Sequence, residues 1–386
     1  MTRNPLSDLD PALRVLAENA HVVPATGQAM ADLMVPDADE LYDRVHLGEA
    51  ASQVISSVAE DSNRQVHRQV RELHRQERHI FRYFLDGSAN THYLGNVLEH
   101  ERQSPVHLAQ VGAVAIRRAD DGRVRIAAAD RRFLLMLDQS ALSDDLYEAV
   151  RRVLSITDTC ELVNSAGNDD PFADGVQAAR EPRSRAAHRA NWRMRLREKA
   201  IAEQMADEMG TDTDQRLVLD GSLGSEYVED WQLAHSPHVG VVKSTWKGMR
   251  FEIGRERRRV NLFQLLADLP AGHRTVAFSL REGRLATWFV RLRGPQYLQF
   301  PLMGTLRVEI PMPDIGFVNT ELVDELSGAL IAERSVTPYG KDTRWHSHLY
   351  PIWLAERAIT QTLFVPENVL KASLRWPLTA LHIGAA

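Results

Sequence analysis

The stretch "FRYFLDGSAN" (residues 81–90) runs from an apolar, strand-favouring segment directly into the tripeptide Asp86-Gly87-Ser88. The same tripeptide closes a second apolar run, in "RLVLDGSLGS" (residues 216–225), as Asp220-Gly221-Ser222. Asp-Gly taken alone is a common turn signal. Open α/β sheets place their ligand sites at the carboxyl ends of strands, so two carboxylates that each end a strand favour one shared site.

Hydrophobic periodicity around these two runs predicts an α/β fold with a mixed sheet. A strand meander is expected first, and then a long helix closed by Gly210 that leads into the second Asp-Gly-Ser strand. The predicted strands cover 81–86, 106–118, 123–130, 216–220, 238–244, 274–280, 284–292 and 304–310. The predicted helices cover 141–155, 179–210, 260–269, 319–335 and the region from Pro351 onward.

Residues 1–80 are predicted to form an N-terminal helical extension, and residues 81–386 the main domain. Helix-start signals, a proline followed by acids, precede a helix over 37–61. A narrow apolar stripe at helical spacing predicts a second helix over 62–80. This pattern favours a helix that lies on a domain or a partner subunit, and direct nucleic-acid contact is the alternative.

Composition excludes several classes of protein. The 386 residues carry a net charge of −6, so any nucleic-acid binding would need a local basic face. The single cysteine, Cys160, rules out an intrachain disulfide and a cysteine-based zinc site. The N-terminus lacks a signal-peptide core, and no uncharged run approaches the roughly 20 residues that span a bilayer. A cytoplasmic protein without membrane contact is expected.

Clustered carboxylates have a definite chemical use. A phosphodiester is an anion that repels an attacking hydroxide, and two divalent ions can activate water and stabilise the leaving oxygen. Hard oxygen ligands suit Mg²⁺ and Mn²⁺. Glu198 and Glu203, on the helix before the second strand, are candidates to complete a set with Asp86 and Asp220.

The order of these motifs resembles the NurA nucleases. The matching features are the first Asp-Gly-Ser strand, a hairpin, a helix with glutamate, and "LVLDGSL" (217–223). "HVGVVKS" (238–244), "TWFVRL" (287–292) and "LYPIWLAERAI" (349–359) resemble later family segments. The resemblance implies an RNase H-like mixed β-sheet core flanked by helices, and a homodimer that works with a HerA-like hexameric ATPase.

The resemblance also implies roles for single residues. Asp86, Glu198 and Asp220 would be catalytic ligands of Mn²⁺ or Mg²⁺, with Glu203 as the alternate helix position. The family pattern expects a late histidine where this chain has Glu356.

Two histidines just upstream of Glu356, His346 and His348 in "RWHSHLYP", are the candidates for that catalytic position. Two alternative interpretations of this region remain. The pair could be ordinary surface-loop histidines, or Glu356 could be a substitute ligand.

Cations and aromatic residues supply candidate DNA contacts. Lys243, Arg257 and Arg258 would bind phosphate, and the basic first half of the long helix would follow the DNA backbone. The alternatives are an edge-strand lysine and solvated charge runs. Trp246, Trp288 and Trp345 would stack on bases or pack in the core.

These features predict a metal-dependent DNA nuclease, an endo- or exonuclease that hydrolyses phosphodiester bonds. DNA repair by end processing and antiviral defence against phage are both compatible with it. Because the chain has no P-loop motif, translocation would need the external ATPase. The alternative is a catalytically degenerate RNase H-like module that binds DNA or acts as a scaffold for the ATPase.

Overall fold

The computed structural model describes ten segments of the chain. They are residues 5–25, 55–60, 65–167, 182–210, 214–224, 237–243, 248–253, 258–294, 302–336 and 345–377.

Fifteen strands are present in these segments. They are β1 His21–Pro24, β2 Ile55–Ser56, β3 His67–Gln69, β4 Phe81–Glu99, β5 Arg102–Arg118, β6 Val124–Leu137, β7 Cys160–Asn164, β8 Arg216–Asp220, β9 His238–Val242, β10 Arg250–Ile253, β11 Arg258–Asn261, β12 His273–Thr275, β13 Phe278–Leu280, β14 Leu285–Arg291 and β15 Thr305–Pro311.

Seven α-helices accompany the strands in the same segments. They are α1 Asp10–Asn19, α2 Asp144–Leu154, α3 Pro182–Met209, α4 Leu262–Leu266, α5 Thr320–Ala332, α6 Tyr350–Ala358 and α7 Glu367–Ser373. A π-helical turn, Ile359–Leu363, follows α6 directly. None of the described helices combines the length and the apolarity that crossing a membrane requires.

The sheet is mixed, as the sequence predicts. Its main path runs β3-β12-β14-β15-β9-β8-β4-β5-β6-β7, with β1 added on β4 and β13 on β14. β8 is parallel to both β4 and β9, whereas β4, β5 and β6 form an antiparallel meander. A second, three-stranded sheet has the order β11-β10-β2. The fold class is therefore α/β with a large mixed sheet.

Both faces of the sheet are covered, and strand alternation decides which residue faces which side. Phe84 and Val218 belong to one apolar cluster, together with residues of α5 and α6. Leu85 and Leu219 belong to another, together with residues of α3 and α4. Consecutive residues of β4 and β8 thus point to opposite helical layers.

β4 is longer than the sequence predicts. It continues through Asp86-Gly87-Ser88 to Glu99, so the first tripeptide lies inside a strand and not at its end. The reason is long-range pairing: β5 is paired with β4 from Tyr83↔Arg117 to Glu99↔Arg102. Ladder hydrogen bonds to a neighbouring strand override the local turn signal.

The helix predicted over 62–80 is wrong. β3 is extended and pairs with β12, and the residues after it are turns and irregular chain. Its arginines are held by another helix, because Arg68 binds Asp324 at 2.8 Å and Arg78 binds Glu325 at 2.5 Å, both on α5. Tertiary ion pairs and strand pairing therefore prevail over helical periodicity here.

Most of the helix predicted over 37–61 lies outside the described residues, and its last part is extended. β2 is paired with β10, and Glu60 forms a bridge with Val318. Residues 55–60 and 65–80 are therefore part of the main α/β body. In the described N-terminal part, α1 is helical.

Candidate active site

Asp86 and Asp220 occupy neighbouring positions on neighbouring strands. β4 and β8 are parallel with Leu85 opposite Leu219, so the next residue on each strand is an aspartate. By alternation both carboxylates belong to the sheet face of Phe84 and Val218, which α5 and α6 cover. The two Asp-Gly-Ser copies, far apart in sequence, are therefore brought together.

Lys243 joins the pair from β9. It follows Val239 and Val241 in alternation, so it lies on the same sheet face, and its Nζ donates a 2.6 Å hydrogen bond to Asp220 Oδ2. Its side chain is only 7 % exposed. Since β9 lies between β8 and β15, the edge-strand interpretation of this lysine is wrong.

Glu198 reaches the pair from α3, on the opposite face, and Gly87 permits the approach. A Cβ on Gly87 would lie 2.6 Å from Glu198 Oε1 and would overlap the sulfur of Met194. The absence of a side chain lets α3 press this glutamate against β4. Glu203 is not brought to the cluster, because it pairs with Lys199 at 3.7 Å and is 44 % exposed.

Glu356 approaches from α6, the helix that packs on β4 and β5. It is half-buried, and its charge acts on Asp86. The acidic cluster therefore consists of Asp86, Glu198, Asp220 and Glu356, with Lys243 as its cation. Glu356, the alternative ligand named in the sequence analysis, therefore lies near enough to Asp86 to act on its carboxyl group.

The electrostatics of the cluster are most evident at Asp86. Burial raises the pKa of Asp86 well above its ordinary value. The carboxylates of Asp220, Glu198 and Glu356 raise this pKa further, and Lys243 opposes them. At Asp86, burial and the neighbouring carboxylates therefore outweigh the attraction of Lys243.

This donor set has the chemistry of a divalent-cation site. Carboxylate oxygens are the ligands that Mg²⁺ and Mn²⁺ prefer, and a 2+ ion would relieve the repulsion around Asp86. Within the described residues, however, no three His, Cys, Asp or Glu side chains already stand together as a ligand set. Binding would need the carboxylates to turn toward a common point, with Lys243 releasing Asp220.

The two candidate histidines are buried, so their interpretation as surface-loop residues is wrong. His346 is 6 % exposed and His348 is 2 % exposed. The Nδ1 of His346 accepts a 2.9 Å hydrogen bond from the Gly304 amide, at the start of β15. These contacts place His346 against the sheet, and a catalytic role for either histidine stays a prediction.

The predicted DNA-contacting residues have mixed outcomes. Arg257 and Trp246 lie outside the described residues, and Arg258 is exposed at the start of β11. Trp288 is fully buried and its Nε1 donates to Ser327 Oγ at 2.9 Å, which is core packing. The ring of Trp345 lies 4.5 Å from the guanidinium of Arg293.

The basic first half of α3 is not a solvated face. Arg193 and Arg197 bind Glu161 at 3.2 and 3.0 Å, and Arg185 lies 3.5 Å from Asp138. Arg195 is buried and donates to the Ser222 carbonyl at 2.9 Å. These arginines of α3 are therefore held by acids and a carbonyl of the body that the helix covers.

In the second tripeptide, Gly221 follows the last residue of β8 and bridges to Val241 of β9. Gly221 has φ +120, a conformation that favours glycine, whereas Gly87 in the first tripeptide is required by the close approach of α3. Glu309 of β15 accepts hydrogen bonds from Ser222 Oγ at 2.9 Å and from the Leu223 amide at 2.8 Å.

Sequence reasoning missed Glu309 and its neighbour Arg307, which lies 3.1 Å away. Both side chains are fully buried. The sequence signal for a buried ion pair was the two opposite charges that alternate with apolar residues in the predicted strand "GTLRVEI".

The comparisons with known proteins add no identification. No protein-family model matches this chain, and no curated protein matches it either.

Gly87→Ala is expected to destabilise the protein by about 1–3 kcal/mol, because the new methyl group would overpack against Met194 and Glu198. It should also displace Glu198 from Asp86. Urea unfolding checks the stability, with Ser88→Ala as the neighbouring control on a half-buried residue. Equal stability of the two variants would mean that Glu198 does not depend on the bare glycine.

His238 is expected to make the protein acid-sensitive. Burial lowers the pKa of His238 to about 3, with Arg216 acting in the same direction. The unfolded chain binds this proton near pH 6.5 and the folded chain does not. Stability is therefore complete above pH 6.5 and is lost as pH falls toward 3, by about 2 kcal/mol at pH 5.

Urea unfolding from pH 7.5 to 4.5 checks this effect. His238→Gln should flatten the decline, whereas His74→Gln, on a side chain that is 59 % exposed, should not. Parallel curves for wild type and His238→Gln would refute the assignment.

Proposed function

We propose that this protein is a metal-dependent DNA nuclease with an RNase H-like core. The observation that carries the proposal is the acidic cluster, in which Asp86 and Asp220 lie on neighbouring strands and Glu198 and Glu356, from two helices, are near enough to act on Asp86. A carboxyl group whose pKa is raised both by burial and by neighbouring carboxylates is typical of functional sites, and carboxylate oxygens are the ligands that divalent cations prefer. The mixed sheet is compatible with this core.

The residues divide by what each can do. Asp86, Glu198 and Asp220 would hold Mn²⁺ or Mg²⁺, and Glu356 would complete the set. When bound, such an ion supplies Lewis-acid stabilisation of a phosphoryl oxygen and lowers the pKa of water. Lys243, which is bonded to Asp220 in the structure, would bind the phosphate anion once that carboxylate turns away.

The assembly is part of the same proposal. A homodimer docked on a HerA-like hexameric ATPase would receive DNA from that motor, in end processing or in antiviral defence. The support is the order of sequence motifs, and the described surface does not choose between the two pathways.

A second candidate function has one observation in its favour. The bond between Lys243 and Asp220 neutralises one of the carboxylates in the structure as it stands. This would suit a degenerate module that binds DNA or supports the ATPase without cutting.

A cleavage assay separates the two functions. Purified protein is incubated with linear duplex DNA and Mn²⁺, alone and with a hexameric ATPase partner, beside Asp220→Ala and the surface control Asp121→Ala. Cutting by wild type and by Asp121→Ala, lost in Asp220→Ala, supports the nuclease. If Asp220→Ala still cuts DNA, the assignment of Asp220 to the active site is wrong. If the wild type binds DNA without cutting it, the degenerate module is favoured.

A further inference from the structure

A cavity lies away from the acidic cluster, between α1, β4 and α7. Its volume is about 230 Å³. Leu13 of α1, Leu94 of β4 and Leu370 of α7 form its apolar wall. At about 3.3 Å per strand residue, its β4 residue His92 lies on the order of 20 Å along the strand from Asp86. The two sites are therefore separate.

His92 forms part of the cavity wall and is 3 % exposed. Its Nε2 is buried and has no hydrogen-bond partner among the described residues. Burial lowers the pKa of His92, and the nearby Lys371 acts in the same direction, whereas the charge of Glu367 opposes them. The lowered pKa favours the neutral imidazole. A buried ring nitrogen without a partner is unfavourable, so a ligand that supplies a hydrogen bond would be retained here.

The rim of the cavity is cationic. Lys371 and Arg375 both line it and both are exposed. Lys371 forms an ion pair with Glu367 at 2.5 Å, whereas Arg375 has no carboxylate partner in the described part of the chain. The local charge therefore favours an anion, and a guanidinium favours a phosphate or carboxylate group.

Trp376 supplies a flat wall. Its Nε1 donates to the Leu94 carbonyl at 3.0 Å, which fixes the half-buried indole beside the cavity. Aromatic rings held in this way are stacking platforms for nucleobases.

We propose that this cavity binds a nucleotide, with its phosphate at Arg375, its base against Trp376 and a polar edge toward His92. A nucleotide matches all three features, whereas a fatty acid would leave the nitrogen of His92 without a partner. The ligand is either a free mononucleotide or one unit of a DNA strand, which share this chemistry. The site does not depend on the acidic cluster.

The test uses the full chain in EDTA, so its outcome is independent of metal-dependent cleavage. Calorimetric titrations compare dAMP, dTMP, the two matching nucleosides, decanoate and a single-stranded 12-mer. Arg375→Gln removes the unpaired cation from an exposed position, and Arg123→Gln is the matched control. Arg123 is 73 % exposed and follows the end of β5 that is remote from the cavity.

Saturable binding of a mononucleotide or of the 12-mer is expected. It should weaken about tenfold in Arg375→Gln, the loss of one charge-assisted contact, and stay unchanged in Arg123→Gln. Binding of mononucleotides identifies a free ligand, and binding of the 12-mer alone identifies a DNA strand. The proposal is overturned if nothing binds, if decanoate or the nucleosides bind as tightly, or if both variants behave like wild type.

Discussion

Asp86→Asn is expected to lower Mn²⁺-dependent DNA cleavage by more than about 100-fold. The loss of an outer partner of a metal ligand typically costs 10–100-fold, and Asp86 is proposed as a ligand itself. Asparagine has nearly the same shape as the protonated aspartic acid but offers one weaker oxygen to a cation. Single-turnover cleavage of linear DNA measures the loss.

The same variant is expected to be as stable as wild type in EDTA, or more stable. The pKa of Asp86 is raised in the folded protein, so wild type loses stability as pH rises above the unfolded value of about 3.9. Asparagine cannot ionise and escapes this loss. Urea unfolding at pH 5 and pH 8 should show an advantage for Asp86→Asn that grows with pH.

Asp220→Asn is the matched control for the stability effect. Asp220 is bonded to Lys243, whose side chain is 7 % exposed, so removing its charge leaves a largely buried cation without this partner. This variant should be less stable than wild type while it also loses cleavage. If Asp86→Asn were the less stable of the two in EDTA, the repulsive cluster described here would be wrong.

Arg274→Met is expected to destabilise the protein by about 3–5 kcal/mol, because it leaves a buried carboxylate without its cation. Arg274 binds both carboxylate oxygens of Glu60, at 2.9 and 2.7 Å, and both side chains are fully buried. Glu60 also accepts from the Ala277 amide at 2.8 Å. Burial alone would raise the pKa of Glu60, but the hydrogen bonds and charge of Arg274 lower it.

Urea unfolding of Arg274→Met, Glu60→Gln and the double variant checks this ion pair. The double variant should recover part of the loss, since it no longer buries a lone charge. Arg151→Met, which removes an exposed pair with Glu148 that shares no partner with Arg274, should cost less than about 1 kcal/mol. A loss below that limit for Arg274→Met would show that the pair does not anchor residues 55–60.

Local pattern was enough for elements that depend on their own residues. β8 has the predicted bounds, and α3 ends at Met209 before Gly210, whose φ of +61 closes a helix at low cost. The local sequence pattern failed to predict the elements whose secondary structure is set by pairing with a distant segment. β4 passes through its turn signal because β5 pairs along it, and β3 is extended because β12 and the acids of α5 hold it.

The candidate site shows the same division. Apolar runs that end in aspartate were enough to nominate Asp86 and Asp220. The choice between Glu198 and Glu203 depends on which side of α3 faces Gly87, and that is set by helix packing. The pairing of Lys243 with Asp220 likewise depends on β9 lying next to β8. Neither the order of strands in the sheet nor the rotation of a helix against it can be predicted from one local segment of sequence.

The most direct test of the metal-site proposal is a crystal soaked in Mn²⁺ and measured for anomalous scattering. The account predicts a peak between the carboxyl groups of Asp86 and Asp220, within reach of Glu198, and Lys243 turned away from Asp220. A well-ordered soaked crystal with no peak there, and with Lys243 still bonded to Asp220, would contradict it.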